Sequence, residues 1–208
     1  MRPRFTLLAL AAFALLPAAA RAFPTAAQIR TAFTALDLSE NDAIKPEEGD
    51  RASFALLHAA DRNGDNFIDP TELAASGIAP ETFSRADTDH DGRLSVAEFM
   101  AMRRALFEIA DIDQDDNLIF VEYELLIVME SVGWTDHNHN GRIEVSELRE
   151  SLAKAFAQLD ADHDGQLTAA EAAYMPEAEF KKFDTDHDGT LSAGEFSSGY
   201  RAALLTGE

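Results

Sequence analysis

Cysteine is absent from the 208 residues. That absence excludes disulfide staples, a cysteine nucleophile and a cysteine-linked lipid anchor. Basic residues are few, 17 Lys and Arg against 38 Asp and Glu, for a formal charge of −21. A chain so acidic repels nucleic acid and anionic membrane surfaces and attracts cations. There is no Gly-x-Ser-x-Gly and no glycine-rich phosphate loop, so the expectation is a protein that is not an enzyme. Methionine is also scarce, with Met100, Met102, Met129 and Met175 the only ones beyond the first two dozen residues. This leans away from a methionine-rich groove that opens on command.

The N-terminus has a different character. Arg2 and Arg4 precede an apolar run from Phe5 to Leu16, and small residues follow at Ala18, Ala19, Ala20 and Ala22. The pattern reads as a secretory signal over residues 1–22, cleaved after Ala20 or Ala22. The run is shorter than the roughly 20 apolar residues needed to span a bilayer. The expected destination is the cell exterior or a periplasm, with no membrane attachment after cleavage. Loss of Arg2, Arg4 and Arg21 leaves 14 bases against 38 acids, a charge of −24. Without disulfides, stability has to come from an apolar core, from bound metal, or from both. The hydrophobic share of 46% permits a core.

Internal repetition dominates the remainder. Seven twelve-residue segments begin with Asp and end with Glu: Asp37–Glu48, Asp61–Glu72, Asp87–Glu98, Asp111–Glu122, Asp136–Glu147, Asp160–Glu171 and Asp184–Glu195. Their starts are 24 to 26 residues apart, and together they hold 29 of the 38 acids. Four residues before each first Asp stands Phe33, Leu57, Phe83, Phe107, Val132, Phe156 or Phe180, which gives an incoming helix its buried face. The eighth position is always aliphatic: Ile44, Ile68, Leu94, Leu118, Ile143, Leu167 and Leu191. That is expected if each loop centre forms a short strand pairing with another loop. Connectors of 12 to 14 residues would serve as outgoing helix of one loop and incoming helix of the next. Gly77 with Pro80, and Pro176, interrupt two of them and should let loops two and three, and loops six and seven, fold back as pairs. Seven being odd, one loop is expected to lack a partner within the monomer.

Clustered oxygen donors suit a hard cation such as calcium, which takes six to eight oxygens at about 2.3–2.6 Å. With Asp at 1, Glu at 12 and a turn residue at 6 repeated seven times, the chain resembles the EF-hand family over nearly all of its mature length. The resemblance implies an all-α fold of tandem helix-loop-helix repeats with short two-stranded pairing between loops. Loops one to four occupy residues 23–122 and loops five to seven residues 123–208, as two domains or as one.

It also implies ligands at positions 1, 3, 5, 9 and 12 and the carbonyl of position 7. Loop three then offers Asp87, Asp89, Asp91, Arg93, Ser95 and Glu98. Loop six offers Asp160, Asp162, Asp164, Gln166, Thr168 and Glu171. Loop seven offers Asp184, Asp186, Asp188, Thr190, Ser192 and Glu195. These three have glycine at position 6 (Gly92, Gly165, Gly189) and should bind most strongly. Loop two, with Asn66 at the turn, supplies Asp61, Asn63, Asp65, Asp69 and Glu72. Loop four supplies Asp111, Asp113, Asp115, Asn117 and Glu122, with Asp116 at the turn and Ile119 at position 9. Loop five supplies Asp136, Asn138, Asn140, Arg142, Glu144 and Glu147, and its amides should weaken it. Loop one ranks last, with Asp37, Ser39, Asn41 and Glu48 but Lys45 at position 9.

His90, His139, His163 and His187 all occupy position 4, away from an ion, so they read as solvated loop residues rather than zinc or copper ligands. His137 and His139 flank Asn138 in a His-x-His spacing that is read the same way. A lanthanide binder resembling lanmodulin is the alternative. Its usual proline at position 2 is replaced here by Leu38, Arg62, Thr88, Ile112, His137, Ala161 and Thr185, and only Asp69 and Glu144 are acids at position 9. A dockerin-like module also uses closely spaced calcium loops, but normally two. The expected partners are calcium ions and an unidentified protein, with no nucleic acid.

Overall fold

A computed structural model describes residues 24–72, 83–84, 86–132, 137–138 and 143–206. The helices are α1 (Ala26–Leu36), α2 (Pro46–Ala60), α3 (Val96–Ala110), α4 (Phe120–Val132), α5 (Val145–Leu159), α6 (Glu177–Phe183) and α7 (Ala193–Thr206). Between them lie the short strands β1 (Ala43–Ile44), β2 (Phe67–Ile68), β3 (Leu94–Ser95), β4 (Leu118–Ile119), β5 (Gln166–Thr168) and β6 (Thr190–Ser192). The fold is mostly helical, and its sheets are two-stranded. Among the described residues no helix is long and apolar enough to cross a membrane.

The loop repeat sets where helices begin and end. α2, α3, α4, α5 and α7 each start at the tenth residue of a loop. The reason is local: the residue at position 9 stands before the helix, and the Glu at position 12 reaches back to its amide, satisfying one of the donors a helix start leaves free. At the other end, the amide of the next loop's first Asp closes the last turn. Asp61 donates to Leu57 O at 2.8 Å, and Asp37, Asp87, Asp160 and Asp184 do the same to the residue four back at 2.9 Å. Helices α2, α3 and α5 run unbroken for 15 residues each, about 22 Å. The connector after loop six behaves differently, as its proline predicts. Residues 169–174 form turns, Pro176 caps the start, and α6 begins only at Glu177. Gly77 and Pro80 lie outside the described residues.

Two compact units form. One contains Thr31–Phe107; the other contains Phe23–Arg30 and Glu108–Glu208. In the first, β2 and β3 pair antiparallel, Phe67 opposite Ser95 and Ile68 opposite Leu94. Ile68 and Leu94 are thereby sunk into a core with Leu57, Ala60, Phe83 and Phe99. Arg104 on α3 forks onto Asp50 on α2 (Nε–Oδ1 3.0 Å), a geometry that pulls the Asp50 carboxyl below its usual range.

In the second unit β5 and β6 pair over three residues, with Leu167 opposite Leu191. Helix α4 packs on α5 and α7, and α7 packs also on α5 and α6. An edge-to-face chain of rings runs from Phe156 through Phe196 and Tyr200 to Phe183, with centroids 5.1–5.7 Å apart. Gly199 makes this possible, because a Cβ there would stand 2.3 Å from the Phe183 ring.

The aliphatic residue at position 8 is buried in all seven loops. Of the residues four before each loop, Phe33, Leu57, Phe83, Phe156 and Phe180 are buried, and Phe107 is half-buried against Gly49. The side chain of Val132 lies outside the description.

Candidate metal centres

The acidic side chains organise each loop around themselves. The Asp at position 1 accepts from amides further round the turn. In loop three, Asp87 Oδ1 takes the Asp91 amide at 3.1 Å and Oδ2 takes the Gly92 amide at 3.0 Å. Asp37, Asp111 and Asp160 repeat both bonds, Asp61 repeats them with Asp65 and Asn66, and Asp184 takes the Gly189 amide at 3.1 Å. Position 3 accepts from position 5 at Asn63, Asp89, Asp113, Asp162 and Asp186. Position 5 accepts from the amide of position 7 at Asp65, Asp91, Asp115, Asp164 and Asp188.

The turn needs positive φ at position 6, found at Asp42, Asn66, Gly92, Asp116, Gly165 and Gly189. Position 4 needs it too: Glu40, Gly64, His90, Gln114, His163 and His187 all have φ between 57° and 75°. Sequence reasoning missed this second constraint. Histidine tolerates the left-handed region better than most residues, which explains three of the position-4 histidines. All three are exposed, and His137 is also exposed and paired with Glu150 at 2.8 Å. His139 lies outside the described residues.

The Glu at position 12 bridges the two ends of every loop. Its Oε2 accepts the amide of position 9 in all seven cases, at 2.9–3.1 Å. Its Oε1 accepts an amide from position 2 or 3, at 2.7–3.0 Å. A carboxylate has about four lone-pair directions, so these bonds orient it and leave room for a cation.

Among the described residues, the arrangement brings three carboxylates together in four loops. One oxygen each from Asp87, Asp89 and Glu98 lies within 4.8 Å of the others. The same holds for Asp111, Asp113 and Glu122, for Asp160, Asp162 and Glu171, and for Asp184, Asp186 and Glu195. Oxygens on opposite sides of a calcium ion at about 2.4 Å are separated by about 4.8 Å, so each trio fits one coordination sphere. The donors are all hard oxygens, which suits calcium or magnesium rather than zinc or copper.

Loops one and two differ for local reasons, and loop five is described only in part. Loop one has two acids in ligand positions, Asp37 and Glu48, with Ser39, Asn41 and the Lys45 chain between them. In loop two, Asp69 Oδ1 is held by the amides of Thr71 at 2.7 Å and Glu72 at 2.9 Å, so this carboxylate caps the following helix. In loop five, the Asn138 amide faces Glu144 at 3.3 Å and Glu147 bridges His137 and Glu144, whereas Asp136, Asn140 and Arg142 lie outside the described residues.

Residues at positions 2 and 9 set the acidity of the bridging Glu. Ser95 donates to Glu98 through its amide and its hydroxyl, and Thr88 adds a hydroxyl at 2.8 Å. Glu98 is accordingly held down at about 2. Ser192, with Asp186 and Thr185, does the same for Glu195, also about 2, and Thr168 lowers Glu171. Loop four has Ile112 and Ile119 there, which give Glu122 amides but no hydroxyl, and Glu122 is only 1% exposed. Burial pushes Glu122 up to about 7 and raises Asp111 as well.

A further acidic residue, Glu124, escaped sequence reasoning. It is fully buried in α4 and bonded to Tyr200. The available signal was an acid inside the apolar run Tyr123 to Met129.

Residues 79–151 match the family model of an EF-hand domain pair, and residues 55–75, 152–171 and 177–199 match that of an EF hand. These segments contain loops two to seven. No curated protein matches the chain. The matched segments and the converging loop oxygens together support an EF-hand calcium-binding protein.

Proposed function

We propose that the chain is an exported calcium binder, acting as a buffer or as a calcium-stabilised interaction protein rather than as an enzyme. The observation that carries this reading is the convergence of oxygens from positions 1, 3 and 12 to within 4.8 Å in loops three, four, six and seven. Calcium supplies positive charge that offsets the mutual repulsion of these carboxylates, and the loop amides keep them aimed at one point. Loops two, five and one add weaker sites, in that order. Export is supported by the basic, apolar and small-residue succession of residues 1–22.

Calcium is abundant outside the cytosol, where modules commonly bind with dissociation constants of about 10⁻⁴–10⁻³ M. The density of carboxylates here supports micromolar to sub-millimolar sites. Isothermal titration of residues 23–208 with calcium and with a lanthanide, at low and at ~0.15 M salt, tests the reading. Calcium sites in that range, weakened as the Debye length falls to about 8 Å, are expected. Picomolar lanthanide affinity with only millimolar calcium binding would replace it by the lanthanide alternative.

A further inference from the structure

Glu124 lies two residues beyond Glu122 in α4 and belongs to none of the twelve-residue loops. Its Oε1 accepts a hydrogen bond from the Tyr200 hydroxyl at 2.8 Å, and that hydroxyl lies 3.1 Å from the hydroxyl of Tyr174. All three side chains are fully buried, so no water competes for these bonds.

The three residues come from the flanks of three different loops. Glu124 sits in the first turns of the helix that leaves loop four. Tyr174 stands three residues after Glu171, the last residue of loop six. Tyr200 is in α7, which leaves loop seven. The Tyr200 ring packs edge to face on Phe183 at 5.2 Å and on Phe196 at 5.1 Å. Phe183 directly precedes Asp184, and Phe196 directly follows Glu195. Tyr200 is therefore wedged between the residues that flank both ends of loop seven, while its hydroxyl holds the helix that presents Glu122. The sheet β5–β6 is two-stranded and joins only loops six and seven, so it offers loop four no such path.

We propose that the Tyr200–Glu124 hydrogen bond couples calcium binding at loop four to calcium binding at loops six and seven, with Glu124 and Tyr200 acting as positioning residues. The inference rests on the calcium-binding reading above. An ion that draws in Glu122 orients the start of α4, and with it Glu124; the buried bond passes that preference to α7 and to the two phenylalanines around loop seven. By linkage the effect is reciprocal.

A double-mutant cycle in the full mature chain tests it, read by NMR at Gly165 and Gly189, whose amides donate to Asp160 and Asp184 and so report on loops six and seven one by one. E122Q is expected to weaken calcium binding at these two glycines by at least about fivefold. In Y200F, which keeps the ring and removes the hydroxyl, adding E122Q should change it by less than about twofold. E124Q keeps an oxygen to accept from Tyr200 and is expected to retain the full effect of E122Q. An effect of equal size in the presence and absence of Y200F overturns the coupling, as does no effect of E122Q on wild-type loops six and seven. Should Y200F unfold the chain, loss of the E122Q effect in E124Q overturns it as well. Absence of any calcium response at Gly165 and Gly189 would instead overturn the calcium-binding reading itself.

Discussion

The hydroxyl of Thr88 lies 2.8 Å from Oε1 of Glu98, across the whole width of the third loop. Residue 2 and residue 12 are thus joined by a side chain as well as by the Thr88 amide, also at 2.8 Å. With Ser95 closing the other oxygen, Glu98 is held ionised and aimed into the loop. Preorganisation of this kind reduces what an ion must do on binding.

Replacing Ser95 by Ala removes one of these donors and half of a reciprocal helix cap. Loss of such a cap costs about 1 kcal/mol. Glu98, at about 2 in the folded chain, should move upward toward its ordinary value. A lowered carboxyl contributes stability above its unfolded pKa and loses it as pH falls toward the folded one. S95A should therefore diminish the stability lost between about pH 4.5 and pH 2, which carboxyl NMR together with denaturant melts would detect. An unmoved Glu98 resonance would refute the assignment of its acidity to Ser95.

Loop four should respond to pH in the opposite sense. Glu122 is raised to about 7 by burial. In the calcium-free chain a raised carboxyl favours folding at low pH, and that contribution is lost as pH rises from about 4.5 through about 7, on the order of 3 kcal/mol for this shift. Calcium at loop four has to displace the proton, so its affinity should fall as pH drops below about 7, while loops three and seven keep theirs. The Asp116 amide, which donates to Asp111 at 3.1 Å, is a local NMR reporter. Equal pH dependence at Asp116 and Gly92 would contradict this.

The helical frame was legible because each loop writes its own punctuation. In most loops the Asp at 1 ends one helix, the turn that presents the Glu at 12 begins the next, and the aliphatic eighth residue announces a strand; loop six, which is followed by turns, and Ile143, which lies in no strand, are the departures. Pro176 marked its break for the same local reason. What was not legible depends on contacts distant in sequence. Nothing adjacent to Glu124 foretells Tyr200, 76 residues away, and nothing in the acid pattern of loop four foretells that Glu122 is only 1% exposed. Position 4 was hidden for a different reason: its backbone conformation admits Glu, Gly, His and Gln alike, so no single residue type flags it.

Packing of α7 on α6 can be tested through its glycines. A Cβ at Gly199 would meet the Phe183 ring at 2.3 Å, whereas at Gly194 the nearest atom is Ser192 Oγ at 3.8 Å. G199A should destabilise the chain by about 1–3 kcal/mol through forced repacking. G194A should be neutral or slightly stabilising, since alanine favours helix over glycine by about 1 kcal/mol. Equal melting temperatures for the two variants would show that α7 does not approach Phe183 this closely.

Removing the metal should loosen the whole fold. The carboxylates brought together in each loop repel one another without a cation, in a chain of net charge −21. Adding calcium to chelator-treated protein should raise both helical circular dichroism and melting temperature. Magnesium should do so poorly, because it prefers a small octahedron and keeps its waters. Identical spectra with and without calcium would rule out metal-coupled folding.

Native mass spectrometry of residues 23–208 during a calcium titration directly counts the ions that the loop carboxylates hold. Four ions are expected to load first, through loops three, four, six and seven, followed by weaker additions. The fourfold variant E98Q/E122Q/E171Q/E195Q should lose those first four steps, because each change removes one of the three carboxylates brought together in its loop. E48Q alone should leave them in place. An unchanged count in the fourfold variant, or no bound calcium in the wild-type chain, would show that these carboxylates are not calcium ligands.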